Sequence, residues 1–108
     1  KVSQEEIFGP VICVYGYDDI DLAIEQANAL PYAFQAAVFS DRLSIANHCI
    51  QSLAGSAVMV NDHTAFRVDW MPFAGLRRSG LGVGGIPYTM ADMSIEKMAV
   101  WNWPAAAS

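Results

Sequence analysis

Residues 11–60 read VICVYGYDDI DLAIEQANAL PYAFQAAVFS DRLSIANHCI QSLAGSAVMV, and the fold turns on how this stretch is divided. Val11-Ile-Cys-Val-Tyr15 is an unbroken apolar run rich in β-branched residues, the pattern of a strand buried on both faces. Gly16 and the pair Asp18-Asp19 end it. Asp18 suits a helix N-cap, and Asp21 puts an acid in the first turn, where the helix dipole favours negative charge. Ile20, Ala23, Ile24, Ala27 and Leu30 then recur at intervals of three or four, which lines up one helical face. Pro31 has no N–H to continue the ladder and stops the helix.

The same cycle repeats at once. Ala36-Ala-Val-Phe39 is a short apolar strand. Ser40 or Asp41 caps a helix that carries Leu43, Ala46, Ile50 and Leu53 on one side, and Gly55 closes it. Ser56-Ala-Val-Met-Val60 is a third strand. The order β-α-β-α-β with short turns predicts an α/β unit, a parallel sheet covered by helices in three layers. Beyond Asn61 the periodicity is lost. His63 to Pro72 reads as an ordered loop, and Gly75 to Gly85 holds five of the eight glycines and reads as irregular. Lys97 to Trp103 reads as a last strand, followed by the tail Pro104–Ser108.

Composition narrows the function. The chain has 108 residues, 54% hydrophobic and 16% charged, with a net charge of −5. That is material for a core and not for a disordered tail. The acidic balance speaks against a nucleic-acid binder, which presents a basic face. No apolar run reaches the ~20 residues that a membrane span needs. Cys13 and Cys49 make neither a disulfide framework nor a zinc spacing, and a reducing, cytoplasmic setting follows as the default. A three-stranded parallel sheet would leave two apolar edges open, which argues for a piece of a larger α/β enzyme. An opening Lys1 in place of Met, with no secretory signal, reads the same way.

Five blocks, in order, carry a resemblance. They are Glu5-Glu-Ile-Phe-Gly-Pro-Val11; Ala27-Asn28 with Tyr32; Ala36-Ala-Val-Phe-Ser40; Gly55-Ser-Ala-Val-Met-Val-Asn61; and Met71-Pro-Phe-Ala-Gly-Leu-Arg-Arg-Ser-Gly-Leu-Gly82. Glu96-Lys97 follows before the last strand. Together they resemble the C-terminal part of the aldehyde dehydrogenase superfamily over almost the whole chain. Three positions depart from its pattern: Ala33 and Ala74 stand where Gly is usual, and Arg77 where Lys is usual. The Ala positions bear on turns that Gly would relax.

The resemblance implies that residues 1–90 belong to the catalytic domain and 91–108 form an oligomerisation strand and tail. It implies a parent enzyme that oxidises an aldehyde to the acid with NAD or NADP, through a Cys nucleophile and a Glu base. Both of those groups, and the dinucleotide-binding domain, fall outside these residues, so the segment alone is expected to be inactive and to hold no catalytic residue and no metal. It also implies a homodimer or tetramer built through the last strand. By carry-over, Glu6 accepts hydrogen bonds from the nicotinamide ribose, as the two oxygens of a carboxylate suit a vicinal diol. Phe8 packs near the nicotinamide ring, and Phe73 lines the substrate tunnel.

Each position has a plainer reading beside it. Glu6 is otherwise a surface acid, and Phe8 and Phe73 are otherwise core aromatics. Arg67, six residues before Phe73, suits an aldehyde whose far end is a carboxylate, phosphate or phosphonate, with His63 assisting; its alternative is a surface pair with Asp69 or Asp62. Phe66 and Trp70 suit instead an aromatic or aliphatic aldehyde. Cys13 and Cys49 read as inert thiols. Gly80-Leu-Gly-Val-Gly-Gly85 matches a dinucleotide-binding pattern but lacks the strand before it and the helix after it that such a loop needs. A different class of function, an acidic α/β binding module recruiting a partner through Trp70, Trp101 and Trp103, is the alternative.

Overall fold

The computed structural model describes residues 3–104. Its elements are α1 (Ile20–Asn28), β1 (Tyr32–Ala33), β2 (Gln35–Val38), α2 (Leu43–Ser52), β3 (Ala57–Val60), β4 (Leu76–Arg77) and α3 (Ile86–Asp92). The α/β centre follows the sequence reading. β2 and β3 pair in parallel, with Gln35 opposite Ala57 and Val38 opposite Val60, and α2 makes the crossover between them. A second, antiparallel pair sets Tyr32 opposite Arg77 and Ala33 opposite Leu76.

Both predicted helices form, with shifted caps. Asp19 caps α1: its Oδ1 accepts from the Asp21 N–H at 2.8 Å and the Leu22 N–H at 3.4 Å. The predicted cap, Asp18, lies one residue outside. α1 ends at Asn28, two residues before Leu30, because the Asn28 amide leaves the helix to bridge to the end of α2. It donates to the Ser52 carbonyl at 2.7 Å and accepts from the Ala54 N–H at 2.8 Å. The N-cap of α2 is Arg42, with no side-chain cap. Ser40 is drawn away instead, its backbone clamped by Asn61, which accepts from Ser40 N–H at 2.8 Å and donates to Ser40 O at 3.0 Å. This double bond closes the ends of β2 and β3, and Asn61 holds a left-handed φ of 55° to make it, a conformation Asn tolerates better than most residues.

The predicted first strand does not form. Residues 11–17 have no regular structure, and Ile12 and Val14 are each 88% exposed. Cys13, expected in a buried strand, is exposed. The run has strand composition, but no neighbouring strand among the described residues pairs with it. The β-α-β-α-β unit is therefore realised as α1-β2-α2-β3. The last strand fares likewise: residues 95–104 carry no regular element, and Ile95, Val100 and Trp103 lie open to solvent. Residues 105–108, the predicted tail, lie outside the described residues.

The glycine-rich stretch is more ordered than its composition suggests. Phe73 and Gly84 bridge in both directions, with N···O distances of 3.0 and 2.8 Å. A helix, α3, follows the glycines directly, with a Pro in its first turn as helix starts favour. This corrects the expectation that no helix follows them. The pattern is still not a dinucleotide loop, because the strand before it, β4, has two residues and pairs antiparallel to β1. Gly85 has a φ of +113°, and a Cβ there would meet the Met71 carbonyl oxygen at 2.5 Å.

Very little is buried. Ile24, Ala33, Ala46 and Cys49 make the core of the described residues. The radius of gyration is 21.6 Å, against about 13 Å for a compact domain of this size. A self-sufficient three-layer miniature is not what these residues build.

Candidate functional site

The densest polar and aromatic constellation lies where β1 and β2 meet the loop after β3. Phe34, between those two strands, is held by the start of β3: its carbonyl accepts from the Ser56 N–H and the Ser56 hydroxyl, each at 2.7 Å. Its ring meets Phe73 edge to face at 5.0 Å, a favoured aromatic geometry. The Arg67 guanidinium lies over the other partner of this stack, 4.5 Å from the Phe73 centroid. That is within cation–π range. Arg67 and Phe73 therefore share one site, as their spacing suggested. Phe34 was not singled out from sequence; a lone aromatic between two strand-like runs carries no signal of its own.

Arg67 makes no ion pair among the described residues. The alternative pairing with Asp62 or Asp69 is not formed, although Asp69 lines the same groove, with Ile86, Thr89 and Met93 of α3 and its flank. The guanidinium lies over an aromatic plate and is not engaged by a carboxylate among the described residues, and its forked donors match planar anions. His63 is not brought into this constellation. It stands exposed beside Asp62, whose carboxylate accepts its backbone N–H at 2.7 Å and lies 3.8 Å from its ring Nε2. Phe66 and Trp70 are both exposed, at 48% and 70%.

Glu6 lines a second groove with Tyr32, Phe34, Arg78 and Ser79. Its carboxylate is exposed and makes no hydrogen bond or ion pair among the described residues. Phe34 thus borders the Glu6 groove on one side and stacks on Phe73 on the other. Phe8 is 94% exposed and has a φ of 51°, a left-handed bend that is a genuine outlier for a bulky residue. No core packing among the described residues explains it. Cys49 is buried in α2, and Cys13 is exposed. No cluster of three His, Cys, Asp or Glu side chains able to hold a metal occurs among the described residues, and no helix is long and apolar enough to cross a membrane.

Comparison with known proteins fixes the context. The model of the aldehyde dehydrogenase family matches residues 1–99. The chain belongs to that family. It is similar to the 3-sulfolactaldehyde dehydrogenase of Priestia aryabhattai, 36% identical over 102 residues, which cover 94% of this chain and 21% of that protein. It is also similar to the lactaldehyde dehydrogenase of Methanococcus maripaludis strain C5, 38% identical over 92% of this chain and 21% of that one. Among solved structures it resembles the NADP-dependent glyceraldehyde-3-phosphate dehydrogenase of Bacillus halodurans in complex with NADP. There the TM-score is 0.79 and the identity 34%, over 83% of this chain and 19% of that one. The chain thus spans about a fifth of the length of these aldehyde dehydrogenases, which accounts for apolar faces it does not bury itself.

Proposed function

We propose that this chain forms the last part of the catalytic domain of an NAD(P)-dependent aldehyde dehydrogenase whose substrate bears an anion at the end remote from the aldehyde. The carrying observation is the Arg67 guanidinium stacked on Phe73 with no carboxylate partner among the described residues. Two of the three relatives described above act, by name, on aldehydes with a sulfonate or a phosphate. The third, a lactaldehyde dehydrogenase, keeps the neutral alternative in play.

Within this reading the pocket has an inner wall and an outer receptor. Phe73 and Phe34 bound the apolar passage, and Arg67 holds the far anion at its mouth. His63 stands exposed on the same loop, beside Asp62. Glu6 fits a dinucleotide: its carboxylate is unengaged, accessible and next to Phe34, so it can accept from the hydroxyls of a ribose. Phe8, with its ring in solvent, is available to limit where a flat ring settles. Bound NAD or NADP supplies the hydride acceptor for oxidation of the aldehyde to the acid. The nucleophile and its base belong to the rest of the parent chain, so these residues bind and orient.

Residues 1–90 belong to the catalytic domain on this account, and 91–108 leave it as an oligomerisation strand and tail. The exposed Met98, Val100 and Trp101 support that role, because an extended apolar segment without a ladder partner is suited to strand addition on a neighbouring subunit of a dimer or tetramer. The setting is cytoplasmic. The test is the parent enzyme incubated with NAD or NADP and an anionic aldehyde, following reduced nicotinamide by absorbance. Reduction with neither cofactor, for any aldehyde in a panel, overturns the assignment.

A further inference from the structure

The loop that carries Phe73 is tied to the end of α1 by the side chain of Arg77. The geometry points to Arg77 as a positioning residue for the aldehyde pocket: it ties the Phe73–Gly84 loop to the end of α1 and thereby sets where Phe73 and Arg67 stand. Its Nη1 donates to two carbonyls at once, Asn28 O at 2.6 Å and Leu30 O at 2.7 Å. Carbonyls at a helix end lack intrahelical partners and carry the negative end of the dipole, so a cation is well placed there.

Backbone conformation says the same. Arg77 sits at a φ of +55°, which disfavours any residue with a Cβ and persists where surrounding contacts hold it. Three contacts do so. Arg77 pairs with Tyr32 in the two-residue ladder of β1 and β4. The next N–H, of Arg78, donates to Pro31 O at 3.1 Å. The Ser79 hydroxyl accepts from the Ala33 N–H at 3.0 Å. The turn beneath is tight: a Cβ on Gly75 would meet the Ser79 carbonyl at 2.6 Å. Phe73 follows rigidly from this knot, bridged to Gly84 behind and stacked on Phe34 in front. Arg67 rests on Phe73. The path from α1 to the anion receptor thus runs through these contacts, and among the described residues no hydrogen bond or ring contact joins Arg77 to Arg67 or Phe73.

This inference rests on the aldehyde dehydrogenase reading above, and its selectivity readout rests also on the anionic substrate. The test is steady-state kinetics of the parent enzyme with R77G, R77K and R67A, on anionic and neutral aldehydes. R77G suits the left-handed backbone and removes the clamp. It is expected to raise the aldehyde KM about tenfold, the scale of losing charge-assisted hydrogen bonds. The kcat should stay within about twofold, the thermal midpoint should be near wild type, and the preference for the anionic aldehyde should fall. R77K, with an ammonium able to reach either carbonyl, is expected to restore most of the KM. If R77G gives poor soluble yield, R77N takes its place, since Asn accepts this backbone and is too short to reach the carbonyls. A wild-type KM in R77G, or a fall in kcat with KM unchanged, overturns the positioning role while an R67A effect leaves the substrate reading standing. If the wild type shows no anionic preference and R67A changes nothing, the substrate reading fails. The KM of the best neutral aldehyde then decides on Arg77.

Discussion

Two apolar runs of similar composition meet opposite fates in this molecule. Ala57-Val-Met-Val60 becomes β3, hydrogen-bonded along its length to β2. Val11-Ile-Cys-Val-Tyr15 remains without a ladder, its Ile12 and Val14 almost fully exposed. Propensity does not separate them, since the second is if anything the richer in strand-forming residues. What separates them is supply of a partner. α2 delivers β3 to β2, and Asn61 locks the two ends together. No strand among the described residues is delivered to 11–15. Strand formation is a property of pairs, and residues that span about a fifth of the length of their relatives hold only some of those pairs.

The comparison breaks most readily at Val14. In the parent enzyme the run is to be covered on both faces, so Val14→Asp buries an unpaired carboxylate. It should lower stability by about 3 kcal/mol or more, read as a shift of the thermal or urea transition. A transition within about 0.5 kcal/mol of wild type, the range for ordinary surface changes, would mean that the run faces water in the parent as well.

The partnered region gives the next effect. Asn61→Ala removes both hydrogen bonds to Ser40 and puts a poorer residue at a left-handed φ. The expected cost is about 2 kcal/mol. Asn61→Gly, which relieves the backbone but not the lost bonds, should fall between the two. Equal losses for Ala and Gly would assign the whole effect to the hydrogen bonds.

These contrasts also show what the amino-acid sequence made legible. The helices over 20–28 and 43–52 were readable because an apolar stripe at helical spacing needs no distant partner to be recognised. The parallel pair followed from the crossover between two short apolar runs. The predicted α2 cap, Ser40, falls two residues before the actual cap, Arg42: its hydroxyl accepts from the Arg42 N–H, and its backbone is held by Asn61. α3 was missed because glycines masked the Pro in its first turn. The contact of Arg67 with Phe73 was legible in their spacing of six residues. Phe34 and the Arg77 clamp were not, since each acts through contacts across 39 or more positions of chain (Phe34 to Phe73, Asn28 to Arg77).

A smaller effect belongs to the cofactor side. Glu6→Gln keeps the shape and drops the charge of a group that makes no hydrogen bond or ion pair among the described residues. The account predicts unchanged stability and a cofactor KM raised about tenfold, as for loss of one charge-assisted hydrogen bond. Unchanged cofactor kinetics would return Glu6 to the ordinary surface.

The central claim is that Arg67 on Phe73 receives the far anion of the substrate. 3-Sulfolactaldehyde and lactaldehyde differ by a sulfonate at that far end, so they form a matched pair. The measurement is kcat/KM for both aldehydes with the parent enzyme and its Arg67→Ala variant. The account predicts a wild-type preference for the sulfonated aldehyde. In the variant its kcat/KM should fall by about tenfold or more, the loss of a bidentate charged contact, while lactaldehyde changes by less than about twofold. An equal fall for both aldehydes would contradict the account and leave Arg67 a structural residue of the loop.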